Sequence, residues 1–378
     1  MAEIDRYFKL MVEHKASDLH LSTNCKPMFR KDGSILPLKN AEPLDETRIK
    51  ALLYEIMPKV NEEEFNEKND TDFAYELEDA GRYRCNIFRD HKGIGGVFRL
   101  IPSEILTAKQ LGLPPSVLNF CTLPKGLVLV TGPTGSGKST TLAAMIDHIN
   151  ETRADHIITI EDPIEFVHPN KRCLINQREV GSHTDSFSSA LRAALREDPD
   201  IVLVGEMRDL ETTHIAIETA ETGHLVFGTL HTTTAIGTVD RLIDQFPAGQ
   251  QSQIRTMLSD ALKGVVAQTL IKKIGGGRVA AIEVLVVNQA ISALIREGKN
   301  SQMQSVMQTA KKEGMTLLNQ ELARLVKDEA IEAKHAYEKA VDRDDLLRTF
   351  QSANIRYTPA DAAEAAPAPQ PEMAPAAT

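Results

Sequence analysis

The sequence predicts a two-part α/β protein, a small N-terminal α+β domain followed by a larger domain built on a largely parallel sheet. Three observations carry this. Short alternating runs joined by turn signals fill the first hundred residues. Beyond residue 115, apolar runs alternate with helical segments, the pattern of a sheet covered on both faces. The run GLVLVT at 126–131 opens into a glycine-rich loop that leads into a helical stretch.

The elements follow in order. Residues 3–14 carry Ile4, Phe8, Leu10, Met11 and Val12, a rough helical stripe. SDLHLS then alternates as a strand. PMFRKDGSILPL places Asp32-Gly33 between two strand-like runs, a hairpin signal. GRYRCNIFRDHKGIGGVFRLIPS reads as two strands around a Gly-rich turn. The expected boundaries are an N-terminal domain over 1–101, a linker over 102–115, and a second domain over 116–357 whose strands are GLVLVTG, HIITIED, DIVLVGE, HLVFGTL and VAAIEVLVV. Residues 289–350 are helical by composition. The segment 358–378 is Ala/Pro-rich and low in complexity, and reads as a disordered tail. There is no internal repeat.

Composition narrows the class. A chain of 378 residues with 42% hydrophobic residues has material for a core of normal size in each domain. A net charge of -10 without a basic stripe argues against nucleic acid as a partner. The four cysteines are scattered with no C-x-x-C, which speaks against a zinc site or a disulfide framework and for reduced thiols. The N-terminus is charged and has no secretory h-region. No apolar run approaches the ~20 residues needed to span a bilayer. A cytoplasmic protein without membrane insertion is expected, with docking onto a membrane protein left open.

GPTGSGKST at 132–140 is G-x-x-x-x-G-K-S in the context it requires, strand, loop, then helix. The binding loop is Gly132, Pro133, Thr134, Gly135, Ser136, Gly137, Lys138, Ser139 and Thr140. Its glycines let N–H groups turn inward around phosphates, and the helix N-terminus adds its dipole. Lys138 supplies positive charge to the β- and γ-phosphates, and the Ser139 hydroxyl is placed for Mg²⁺. The implied ligands are ATP and Mg²⁺. Such a protein needs an acid on a second strand. DPDIVLVGEMRD offers Glu206 after Gly205, acting on the metal through a bound water or, alternatively, as a helix N-cap. TIEDPIEFVH is a third strand that empties into Glu161, Asp162 and Glu165. Strand C-termini face the ligand crevice of a parallel sheet, so one of these carboxylates can polarise an attacking water.

Taken together, ASDLHL (16–21), GPTGSGKST, TIEDPIEFVH, GEMRDLET, ETGHLVFGTLHT and AISALIRE (290–297) occur in the order found in the type IV pilus twitching-motility retraction ATPases. The chain resembles this PilT/PilU group of the secretion ATPase superfamily over about residues 1–350. The resemblance implies a PAS-like N-terminal domain and a RecA-like ATPase domain. It implies that Glu165 is the general base, that Glu206 is an atypical Walker B glutamate, and that His224 and His231 form a His box. It implies that Arg84 and Arg99 reach the γ-phosphate between domains. It further implies a homo-hexameric motor at the inner-membrane base of the pilus machine, acting on a platform protein, with a paralogous retraction ATPase as a possible partner. Ser292 and Ala293 replace the Arg-Asn of the family's AIRNLIRE motif. The C-x-x-C element of the assembly ATPases is missing, which argues against pilus extension.

The two histidines of GHLVFGTLHT cannot share a metal. Seven steps of ~3.3 Å separate them by roughly 23 Å on one strand, and the odd spacing puts them on opposite faces. His231, at the strand's C-terminal end beside Thr232, reads as a γ-phosphate or domain-interface sensor. His224, at the start, serves either packing, a structural hydrogen bond or catalysis. The rival functions are an accessory subunit or nucleotide switch with little turnover, and a DNA translocase, which the acidic balance disfavours.

Overall fold

The computed structural model describes residues 2–31, 34–39, 41–78, 80–101 and 105–359. The Asp32-Gly33 turn, residues 102–104 of the expected linker, and the tail from residue 360 lie outside them. The described chain forms two compact units. The first holds the residues up to Leu106 together with Ile160–Pro169 and Gln177–Ser186, and the second holds the remainder.

The first unit begins with α1 (Asp5–His14). Ile4, Tyr7, Phe8 and Met11 recur at helical spacing and are all buried. Lys15, left-handed at φ 53°, ends the helix. Then come β1 (Asp18–Ser22), β2 (Met28–Lys31), β3 (Ser34–Pro37), α2 (Glu46–Tyr54), α3 (Lys59–Lys68), β4 (Asp70–Leu77), β5 (Gly81–Asp90) and β6 (Gly93–Ile101). The strands form one antiparallel sheet in the order β3-β2-β1-β6-β5-β4, and Lys31 pairs with Ser34 across the expected hairpin. Period-two alternation divides its faces. Tyr83, Cys85 and Ile87 of β5 are buried, with the Tyr83 ring stacked on Phe8 at 4.1 Å. Arg82 and Arg84 point the other way. One sequence expectation changes. Gly95 and Gly96 lie within β6, not in the turn. A Cβ on Gly95 would come 2.9 Å from the Phe88 ring, so these glycines answer to close packing within the sheet.

The second unit opens with α4 (Ala108–Leu111) and α5 (Pro115–Phe120). The P-loop strand β7 (Gly126–Thr131) and helix α6 (Lys138–Thr152) follow, then β8 (His156–Glu161) and β9 (Leu174–Glu179), whose last residues, from Ile160 and from Gln177, belong to the first unit, then α7 (Phe187–Ala194), β10 (Ile201–Val204), α8 (Leu210–Thr222) and β11 (Leu225–Leu230). After them come α9 (Ala235–Asp244), α10 (Ala248–Ala261), β12 (Leu262–Lys272) and β13 (Arg278–Val286). The C-terminal helices are α11 (Gln289–Glu297), α12 (Met303–Thr309), α13 (Leu318–Lys327), α14 (Ala333–Lys339) and α15 (Arg343–Ser352). The sheet runs β13-β12-β7-β11-β10-β8-β9. β7 is parallel to both β11 and β12, β11 is parallel to β10, and β13 closes the edge antiparallel to β12. Every residue of β7, β10 and β11 is buried, which is why these strands read as unbroken apolar runs. All four cysteines are free. Cys85, Cys121 and Cys173 are buried and Cys25 is partly exposed. Burial pushes the Cys121 thiol up to about 12.

Glu283 on β13 is buried, with no cationic partner among the described residues. Its carboxylate accepts the first N–H of α9, at Ala235 (2.6 Å), and the first N–H of α13, at Leu318 (3.0 Å). Two helix N-termini thus hold one anion. Desolvation outweighs these bonds and leaves the carboxyl above its ordinary pKa. Between the ordinary carboxylate range and the raised value, the folded state therefore keeps a proton that the unfolded chain releases. Stability from this group declines as pH rises from the ordinary carboxylate range through the raised value. Glu283→Gln should flatten that part of a stability-against-pH curve measured by urea unfolding, and a slope equal to the parent's would refute the assignment. Glu283→Ala should lower stability by about 1–3 kcal/mol for each N–H left without an acceptor.

Candidate functional site

Between the end of β7 and the start of α6 the chain turns through Gly132–Gly137. Gly132, Gly135 and Gly137 have φ of 145°, 76° and 90°, values that L side chains resist. A Cβ on Gly132 would also run into the Gln268 carbonyl oxygen and the Ser136 hydroxyl. At Gly135 a Cβ would meet open space, so only the backbone angle demands glycine there. Pro133, Thr134, Gly135 and Ser139 are exposed, Thr140 is half-buried and Ser136 is buried. Lys138 folds back over the loop, donating to the Gly132 carbonyl at 2.8 Å and the Pro133 carbonyl at 3.4 Å. Burial draws this lysine below its ordinary pKa, opposed by the charge of Glu206.

Sequence reasoning missed Gln268, which gives this loop its wall. It sits buried on β12, and its amide uses both ends. Nε2 donates to the Ser136 carbonyl (2.8 Å), and Oε1 accepts from the Thr141 hydroxyl in the first turn of α6 (2.9 Å). A buried amide in an apolar run was the available signal, because such a group must find partners.

Beyond β10, Glu206 accepts from His231 Nε2 at 2.8 Å, and Arg208 Nε lies 2.5 Å from the same oxygen. His231 Nδ1 lies 3.5 Å from Lys138 Nζ. The His231 ring thus stands between the Glu206 carboxylate on one side and the Lys138 ammonium on the other. Burial pushes the Glu206 carboxyl up, but Arg208 and His231 outweigh it and hold it below its ordinary range. Glu206 is not a helix cap. Asp209 caps α8, accepting from the Thr212 N–H at 2.8 Å. Thr232 is tied through the Thr238 hydroxyl (2.6 Å) to Thr131 at the end of β7 (3.3 Å). His224 lies at the other end of β11, with Nδ1 3.2 Å from the Thr219 carbonyl, and its own carbonyl accepts from Gly126 N–H at 3.0 Å. That is a structural hydrogen bond at the start of the strand.

The remaining residues of interest belong to the first unit. Arg84 and Arg99 are register partners on β5 and β6 and share a face. Arg84 lies 3.6 Å from Asp72, and Arg99 donates to Asp18 at 2.8 Å. Glu165 is exposed on the turn after β8, its N–H donating to Glu161 at 3.4 Å. The structure thus brings Lys138, His231 and Glu206 together, and sets Glu165, Arg84 and Arg99 on the other unit. In the AISALIRE helix α11, Ser292 donates to the Ser259 carbonyl (2.7 Å) and Arg296 pairs with Asp260 (3.0 Å), both on α10.

Gln268→Leu removes two bonds that shape the loop, each worth about 1 kcal/mol. It should weaken binding of a fluorescent nucleoside triphosphate about tenfold, while the thermal midpoint moves by only a few degrees. Unchanged affinity would show that the loop keeps its shape without this amide.

Comparison with known proteins agrees with this architecture. Residues 2–276 match the family described as type II/IV secretion system protein. The chain is 53% identical to the type IV pilus retraction ATPase PilT of Pseudomonas aeruginosa over 338 residues, covering 89% of this chain and 98% of that one. It is 36% identical to the type IV pilus ATPase PilU of the same organism, covering 91% and 90%. A crystal structure of the pilus retraction motor PilT with bound ADP superimposes with a TM-score of 0.87 at 48% identity, covering 92% and 99%. The chain belongs to the type II/IV secretion system protein family, within the group of PilT and PilU.

Proposed function

We propose that this protein is a Mg²⁺-ATP-hydrolysing motor that powers type IV pilus retraction. The observation that carries the reading is the run Lys138–His231–Glu206 beside the P-loop, on a chain 53% identical to a retraction ATPase. The loop amides and the α6 N-terminus bind the phosphates of ATP, and Lys138 supplies the countercharge. The residues fit a magnesium ion. Ser139 offers an exposed hydroxyl on the first turn of α6, and Glu206 is held charged to act through a water. Bound there, the ion would neutralise charge on the β- and γ-phosphate oxygens. His231, wedged between Lys138 and Glu206, senses whether a γ-phosphate draws the lysine away. Glu165 takes the proton of the attacking water, and Arg84 and Arg99 stabilise charge on the transferred phosphoryl group. His224 holds the start of β11.

The working unit in this reading is a homo-hexamer of PAS-like (1–101) and RecA-like (116–357) domains joined by the 102–115 linker. It works in the cytoplasm at the inner-membrane base of the pilus, pulling through a platform protein, alone or with a paralogous ATPase. Among the described residues no helix is long and apolar enough to cross a membrane. Identity of 53% to PilT against 36% to PilU supports the PilT branch. Ser292 and Ala293 leave open how far α11 alone supports retraction, so an accessory role is the second reading.

Steady-state Mg-ATP hydrolysis by the full chain tests this. Glu165→Gln should cut turnover about 10²–10⁴-fold while ATP binding is kept. Binding without turnover in the parent would turn the reading to the accessory one. Doping the parent with Lys138→Ala subunits should lower activity more steeply than the mutant fraction, and a strict proportionality would contradict a cooperative ring.

A further inference from the structure

Glu165 is exposed, yet the turn that carries it is gripped from β9. Gln177 and Glu179 are two apart on that strand and so project from one face. Gln177 Oε1 accepts from the His168 N–H at 2.7 Å. Its Nε2 donates to the Phe166 carbonyl at 2.9 Å and to Glu161 Oε1 at 3.1 Å. Glu179 Oε2 accepts from the Ile164 N–H at 3.1 Å. The two side chains thus read the main chain at 164, 166 and 168, every second residue, much as a neighbouring strand would. Residues 164 and 168 are buried, and Glu165 between them is turned out to solvent.

Glu179 has more to hold than one N–H. Its Oε1 accepts from the Ser182 hydroxyl at 3.1 Å, and its Oε2 also receives Arg82 Nη2 at 3.1 Å. Side-chain exposure is only 6% at Glu179 and 19% at Arg82, so solvent does little to weaken the pair. Arg82 lies on β5, two residues before Arg84 and on the same face. One buried carboxylate therefore joins the strand of Arg84 to the turn of Glu165.

We infer that Glu179, assisted by Gln177, is a positioning residue that sets the Glu165 carboxylate for the attacking water and couples its placement to the arginine strand through Arg82. The inference rests on Glu165 being the base. Glu179 itself touches no substrate. Its loss frees the 164–168 turn and leaves Arg82 buried without its partner, while the phosphate loop keeps every contact described for it.

The test measures two quantities on the full chain, bound fluorescent ATP per subunit and turnover per bound nucleotide. A defect in folding lowers the bound nucleotide and leaves turnover per bound nucleotide unchanged, whereas loss of positioning lowers only the second. Glu179→Ala should reduce kcat per bound nucleotide about 10–100-fold, with the Kd for ATP within about twofold of the parent. Glu179→Gln retains an acceptor for the Ile164 N–H but loses the charge facing Arg82, and should cost about 3–10-fold in the same ratio. It decides the matter if the alanine variant does not fold. Arg82→Gln should move kcat in the same direction. Turnover per bound nucleotide equal to the parent's in the folded Glu179 variants would overturn the inference, as would a parallel fall in stoichiometry and turnover. If Glu165→Gln itself keeps full turnover, the reading of the base has failed, and that is a different result from retained activity at Glu179 alone.

Discussion

A loop that offers its N–H groups to a ligand can spend few of them on its own shape. That constraint governs the second unit. Gly132–Gly137 has three glycines at positive φ and one turn bond of its own, from the Ser136 N–H to the Pro133 carbonyl at 3.1 Å, so much of its form comes from outside. Gln268 provides it, with one amide end on Ser136 and the other on Thr141, and its carbonyl oxygen set against Gly132. Lys138, bonded to the carbonyl of Gly132, closes the loop from the inside.

The sheet order explains why these groups meet. β7 lies between β12 and β11, so the loop at its end has Gln268 on one side and His231 on the other. β10 is next to β11 and brings Glu206 within hydrogen-bond reach of His231. The parallel neighbours β10 and β11 contribute Glu206 and His231 just past their last apolar residues, while Lys138 comes from the first turn of α6. The antiparallel β12–β13 pair then carries the chain away to Glu283, where α9 and α13 share one carboxylate.

Much of this was legible in the sequence. β7, β8, β10, β11 and β13 declared themselves as apolar runs, and the P-loop by its spacing. What stayed hidden had physical reasons. β9 is LINQRE, too polar to read as a strand, because Gln177 and Glu179 bond a neighbouring turn while Ile175 joins the core. β4 opens with acids, consistent with its place at the edge of its sheet. β12 starts at Leu262 directly after α10 ends at Ala261, with no glycine or proline to mark the change. α13 begins at Leu318 after an uncapped Leu317, since its N-terminal partner is the distant Glu283. Motif spacing located Lys138, Glu206 and His231, but only the folded sheet joins them. Gln268, Gln177 and Glu179 lie outside the motifs that drew attention, and their work is done by single side chains bonded across long stretches of chain.

The cysteines have a practical consequence. Three of the four thiols are sealed in apolar surroundings, and burial holds Cys85, Cys121 and Cys173 above the ordinary thiol pKa, so they are poor nucleophiles at neutral pH. Cys25, after β1 in the first unit, is the one with access to solvent. A maleimide dye or spin label added to the native protein therefore lands at a single address without any substitution. The natural chain arrives already equipped with a one-site spectroscopic reporter on its N-terminal unit, ready to follow that unit through a nucleotide cycle.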